Sequence, residues 1–126
     1  MTLDRLFVYG TLRSNGSAFH MVADVVDRAV AAVLVDFALV GEGHRYPWCV
    51  ESPGGEVSGE VLWIRSCDET LARLDQYEGV DGDNPEYRRV IAPVFTREGR
   101  STAWVYVGGP GVPPDAGPVP GGSWMP

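Results

Sequence analysis

An α+β fold in a single domain is what this sequence predicts, on three observations. The chain has 126 residues, enough to bury one core and too few for a cofactor domain beside a substrate domain. Short runs rich in β-branched and aromatic residues alternate with clusters of turn formers, the pattern of a sheet built from neighbouring strands. Only the segments at 18–30 and 66–78 place apolar residues at helical spacing. Hydrophobic residues make up 44% and charged residues 21%, which matches folded globular chains and excludes disordered or fibrous ones.

Taken in order, Leu6-Phe7-Val8-Tyr9 reads as a first strand that stops at Gly10, and Ser14-Asn15-Gly16-Ser17 supplies a loop. From Ala18 to Val30, Met21, Val22, Val25 and Val26 recur at helical spacing with Ser17 as a cap, which predicts a short helix. Val30 to Val40 is dense in β-branched residues and reads as a buried strand. After the Gly41-Glu42-Gly43 turn, Tyr46 to Val50 and Val57 to Ile64 read as two strands joined in a hairpin by Ser52-Pro53-Gly54-Gly55. Ser66-Cys67-Asp68-Glu69 has the spacing of a capping box and predicts a helix that buries Leu71 and Leu74 and closes at Gly79. Asp81 to Pro85 is a loop. Arg89 to Thr96 and Ser101 to Val107 form a second hairpin, with Pro93 requiring an edge or a bulge because it has no N–H to donate. The whole of 1–126 is expected to be one domain, with 108–126 an extended Gly/Pro-rich tail packed on it and Trp124 as its anchor.

Charge narrows the partners. Ten basic against seventeen acidic residues leave a net charge of −7, a field that repels nucleic acid and anionic membranes. No apolar stretch approaches a membrane span, and the start Met1-Thr2-Leu3-Asp4-Arg5 lacks the features of a signal peptide, so a cytoplasmic location is expected. Cys49 and Cys67 lack metal-ligand spacing and are expected to be free buried thiols. Neither a metal nor a cofactor is expected.

Three segments hold residues that can do chemistry. Glu78 lies at i+4 and i+7 from Leu74 and Leu71, so a helix through this segment turns its carboxylate toward the apolar side, at a helix end where the macrodipole disfavours negative charge. Both effects raise a carboxyl pKa toward the range of a general acid/base. A solvated position just past the helix is the commoner fate of a glutamate, and local pattern alone leaves that alternative standing. Tyr9-Gly10-Thr11-Leu12-Arg13 runs a strand into a Gly loop whose consecutive N–H groups can form a donor site for a carboxylate or carbonyl oxygen, or can be an ordinary turn. In Tyr87-Arg88-Arg89, tyrosine and arginine can orient and clamp a carboxylate or can be solvated charges at a strand edge. Tyr106 alternates with Trp104 as strand aromatics do. His20 and His44 lack a nucleophile in a recognisable context, and Glu60 paired with Glu78 is a bare pair of carboxylates.

The order of Tyr9-Gly10-Thr11-Leu12-Arg13, Leu74-Asp75-Gln76-Tyr77-Glu78-Gly79 and Tyr87-Arg88-Arg89, with the ending Pro120-Gly121-Gly122-Ser123-Trp124, resembles the γ-glutamyl cyclotransferase superfamily. Nearly the whole chain takes part. The resemblance implies a small mixed β-barrel with a few packed helices, Glu78 as the catalytic residue, and Tyr9, Gly10, Thr11 and Leu12 lining the substrate cavity; Tyr87, just downstream, is a further substrate-binding candidate that can hydrogen-bond either the substrate or Glu78. The resemblance also implies a small γ-glutamyl substrate, no cofactor, and release of 5-oxoproline with a free amine or amino acid. A catalytically silent binding module of the same fold is the alternative from another class.

Overall fold

A computed structural model describes residues 3–124. Its strands are β1 (Arg5–Val8), β2 (Val26–Glu42), β3 (Trp48–Ile64), β4 (Tyr87–Thr96), β5 (Gly99–Gly108) and β6 (Gly117–Pro118). One helix, α1 (Cys67–Glu78), and two 3-10 turns at Phe19–Met21 and Pro120–Gly122 complete the secondary structure among the described residues. The α+β class expected from the sequence is the class observed. The sheet runs β3-β1-β5-β4-β2-β6, and β2 pairs again with β3, so the first five strands curl into a ring. All pairings are antiparallel except β1 with β5, which makes the sheet mixed.

Side chains on a strand alternate between faces, and here both faces of the ring wall find apolar cover. Phe7, Leu34, Val57, Val61, Val94 and Val105 fill the inside. On the outside, Leu6, Val8, Leu62 and Ile64 meet Leu71 and Leu74 of α1. Because β1 is buried on both sides, its residues 6–8 are continuously apolar, with Leu6 fully buried and Phe7 1% exposed.

Two local expectations give way. The helix expected at 18–30 is only the 3-10 turn, and β2 begins at Val26. Val22, Val25 and Val26 do face the α1-side core, but from a turn and a strand start, because pairing with β3 offers the β-branched residues a better partner than a helix would. Ser52-Pro53-Gly54-Gly55 is not a hairpin turn either. It bulges out of a continuous β3: Glu51 pairs with Phe37 and Glu56 with Val35, leaving residues 52–55 opposite Asp36 alone. Asp36 takes a positive φ of 65° and its carboxylate accepts the Gly54 N–H at 3.0 Å, which fixes the excursion. Segment 43–47 makes the chain reversal. Pro93 lies in register with Thr102 of β5 but one residue outside the β2–β4 ladder, which covers only Val94 to Thr96, so its missing N–H costs no bond there.

Helix α1 starts where the sequence indicates, although Ser66 sits in a left-handed conformation and makes no side-chain cap bond, so the expected capping box is not formed. Its far end is a Schellman closure: Val80 N–H donates to the Asp75 carbonyl at 3.1 Å and Gly79 N–H to the Gln76 carbonyl at 3.3 Å. Gly79 has φ 71°, a conformation that penalises any Cβ. Gly79→Ala is therefore expected to cost about 1 kcal/mol, read as a lower midpoint in urea unfolding with an unchanged slope. After β5 the chain crosses back: Gly109 N–H donates to Glu86 O at 2.7 Å and Gly111 N–H to Pro85 O at 2.8 Å. Strand β6 then pairs with β2, and Trp124 packs half-buried on the ring-interior core. No helix among the described residues is long and apolar enough to cross a membrane.

Candidate active site

Where β1 leaves the sheet, its end faces the end of α1, and the chain after each element curls round a cavity of about 490 Å³. Tyr9, Gly10, Thr11 and Leu12 line one side, Glu78 another, and Tyr87 a third. The structure thus brings Tyr9, Gly10, Thr11, Leu12, Glu78 and Tyr87 into one space, and leaves Arg13, Arg88 and Arg89 outside its lining. Segment 82–86 forms the outer wall, held in place by the Gly109 and Gly111 N–H groups.

Glu78 is the last helical residue, and with Leu71 and Leu74 anchored in the core its side chain is carried to the cavity. Burial lifts its carboxyl pKa from an ordinary 4.5 to about 7, and among the described residues neither a cation nor a hydrogen-bond donor offsets that desolvation. The group is consequently poised to change protonation near neutrality.

The Gly10 loop is tight. Arg13 N–H donates to Gly10 O at 3.1 Å, Gly16 N–H to Arg13 O at 2.7 Å and Ala18 N–H to Thr11 O at 2.9 Å, whereas the N–H groups of Gly10, Thr11 and Leu12 donate to no backbone carbonyl among the described residues. Three successive donors in a cavity wall can hold an oxyanion or a carboxylate. Glu60 lies outside the lining and braces this loop instead, its carboxylate accepting Ser14 N–H at 2.6 Å and Ser14 Oγ–H at 2.7 Å.

The tyrosines differ in what their hydroxyls do. Tyr9 donates to the Tyr106 carbonyl and accepts the Cys49 N–H at 3.3 Å, so that hydroxyl ties β1 to its neighbours. Tyr87 donates to Pro47 O at 2.7 Å and stacks on Trp48 with ring centres 6.2 Å apart. Burial, followed by the charge of Glu78, raises the Tyr87 hydroxyl pKa well above its usual value, keeping it protonated.

Tyr106, treated above as an ordinary strand aromatic, also lines the cavity. It is on the α1-facing side of β5, and its hydroxyl donates to Asp75 Oδ1 at 2.7 Å. Asp75 also receives a bidentate Arg89 at 2.8 and 2.9 Å. Burial opposes its charge, but the bonds from Arg89 and Tyr106 and the charge of Arg89 outweigh that and hold the Asp75 carboxyl below its ordinary value. Only long-range pairing could reveal this role, since β4 must bring Arg89 beneath α1. His20 and His44 are not among the lining residues; His44 lies 3.4 Å from Asp115 in the tail. Among the described residues no three His, Cys, Asp or Glu side chains cluster as metal ligands.

Comparison with known proteins agrees with this architecture. The AIG2-like protein of Mus musculus superposes with a TM-score of 0.75 at 23% identity, over 99% of this chain and 90% of that one. A structure titled gamma-glutamyl cyclotransferase gives 0.67 at 24%, over 84% and 66%. YkqA of Bacillus subtilis gives 0.73 at 22%, and 98% of this chain spans only 40% of that longer protein. These likenesses establish the fold. No curated protein matches significantly. The sequence model of the family described as gamma-glutamyl cyclotransferase, AIG2-like, matches residues 6–126, and the chain therefore belongs to that family.

Proposed function

We propose that this protein is a γ-glutamyl cyclotransferase that releases 5-oxoproline and a free amine or amino acid from a small γ-glutamyl amide, with Glu78 as general acid/base. The observation that carries this reading is the Glu78 carboxyl, lifted by burial to about 7, in a cavity also lined by Gly10, Thr11 and Leu12, whose N–H groups donate to no backbone carbonyl among the described residues. Family membership supports the same chemistry.

The α-amine of a γ-glutamyl amide can fold back on its own γ-carbonyl carbon and close a five-membered ring, so the reacting atoms need only be held in that conformer. Glu78 takes the proton from the ammonium and frees the nitrogen lone pair. The new C–N bond forms as the carbonyl oxygen gains negative charge, which the Gly10, Thr11 and Leu12 N–H groups stabilise. Glu78 then returns the proton to the departing nitrogen as the original amide bond breaks, and the second proton that the ring nitrogen sheds passes through the same carboxylate to the released amine, which leaves as its ammonium ion. Tyr87 binds substrate at the third wall, and Tyr87→Phe is expected to raise KM several-fold with kcat little changed; unaltered kinetics would remove it from the site. Two free buried thiols suit a cytoplasmic setting.

Incubation with a panel of γ-glutamyl amides and γ-glutamyl amino acids, followed by mass spectrometry for 5-oxoproline, tests the reading. Binding of these compounds without 5-oxoproline from any of them would establish the binding module instead.

A further inference from the structure

We infer that Asp75, which does not line the cavity, is a positioning residue that fixes Glu78 relative to the Gly10 loop by gripping Arg89 and Tyr106. The inference rests on the Glu78 reading and goes beyond it, because it names what holds the two halves of the site in register.

The two halves come from different parts of the chain. Glu78 rides on the last turn of α1, and the loop hangs from the end of β1. Asp75 is on that same last turn, three residues earlier, with its side chain only 19% exposed. Its carboxylate has both oxygens engaged by Arg89 and one also by the Tyr106 hydroxyl, so three hydrogen bonds of 2.7 to 2.9 Å join the helix end to β4 and β5. Arg89 has little freedom to slip, since its guanidinium also lies 4.2 Å from the centre of the Trp104 ring.

Tyr106 carries the constraint across. Its hydroxyl is on Asp75, while its backbone carbonyl accepts the Tyr9 hydroxyl, and Tyr9 directly precedes Gly10. A continuous path therefore runs from the helix end through Tyr106 and Tyr9 into the loop that lines the cavity with Glu78. Tyr9 is itself pinned by the Cys49 N–H, so the path ends on the ring wall and not on a free side chain. An error of about 1 Å between proton shuttle and donors is enough to cost roughly 10²-fold in rate.

Asp75→Asn keeps the shape, loses one Arg89 acceptor and leaves the guanidinium without its counter-charge. For the substrate that the panel identifies, kcat per folded enzyme is expected to fall roughly 10²-fold while KM changes less than about threefold, because the cavity walls remain. Tyr106→Phe, which removes only the linking hydroxyl, is expected to lower kcat about tenfold, a loss of about 1.4 kcal/mol. The double variant should be no slower than Asp75→Asn alone, since both cut one path. A role confined to stability lowers the melting temperature and leaves kcat of the folded fraction intact. Parental kcat in folded Asp75→Asn, or fully multiplicative losses in the double variant, overturns the inference. Should Asp75→Asn not fold, parental kcat in Tyr106→Phe overturns it equally. Glu78→Gln run beside them separates the two readings: an active Glu78→Gln removes the proton-shuttle reading and this inference together, whereas an inactive one beside a fully active Asp75→Asn removes this inference alone.

Discussion

Glu78→Gln is expected to lower the rate of 5-oxoproline release about 10³-fold while making the protein more stable at neutral pH. The rate effect follows from removing the cavity carboxyl that burial lifts toward neutrality and that the proposed reaction uses to take and return a proton, a contribution that typically falls between 10² and 10⁴. On the proposed reaction, kcat/KM of the parental protein should rise with pH through about 7 as the Glu78 carboxyl loses its proton. The stability effect has a definite sign. A carboxyl at about 7 in the folded chain, against an ordinary value of 4.5, binds its proton more tightly folded than unfolded. Its favourable contribution is therefore complete below about pH 4.5 and is lost as pH rises to about 7. Allowing for the part of the group that meets solvent, the loss is on the order of 2 kcal/mol. Gln carries no such cost. Melting temperatures of the two proteins should diverge by several degrees across that window and run parallel above it. Curves that stay parallel throughout would show that Glu78 is ordinarily solvated.

The second large effect belongs to Gly16. A Cβ there would stand 2.1 Å from the Thr11 carbonyl oxygen, so Gly16→Ala must push that carbonyl aside and strain the Ala18 N–H bond to it. The Thr11 carbonyl and the Leu12 N–H share one planar peptide unit, and tilting the first turns the second away from the cavity. Mis-aimed donors cost catalysis more than stability. We expect kcat/KM to drop about 10²-fold, with unfolding free energy lower by about 1 to 2 kcal/mol. Glu78 is untouched, so the pH at which the remaining activity rises should stay near 7. A variant as active as the parent would take the Gly10 loop out of the chemistry.

How legible this was depended on distance along the chain. Glu78 and Gly79 could be read because spacing from Leu71 and Leu74 and the helix-closing glycine are signals within one segment. The class and the strands also came through, since alternation and β-branched content are local. The 18–30 helix did not survive, because helical spacing of Met21, Val22, Val25 and Val26 says nothing of a waiting partner strand. Ser52 to Gly55 carries turn chemistry without revealing whether the chain reverses or merely steps out. Tyr106 looked like any strand aromatic because Asp75, 31 residues away, gives its hydroxyl a purpose.

The excursion at residues 52–55 bears on how the molecule can be altered. The β2–β3 ladder resumes in register on both sides of it, from Phe37 with Glu51 and from Val35 with Glu56, so the ring does not depend on the length of what lies between. None of these residues faces the cavity. A peptide tag or a reporter domain spliced between Pro53 and Gly54 should leave the catalytic geometry where it is, and relatives differing in length have at this bend a place to grow new surface without disturbing the old chemistry.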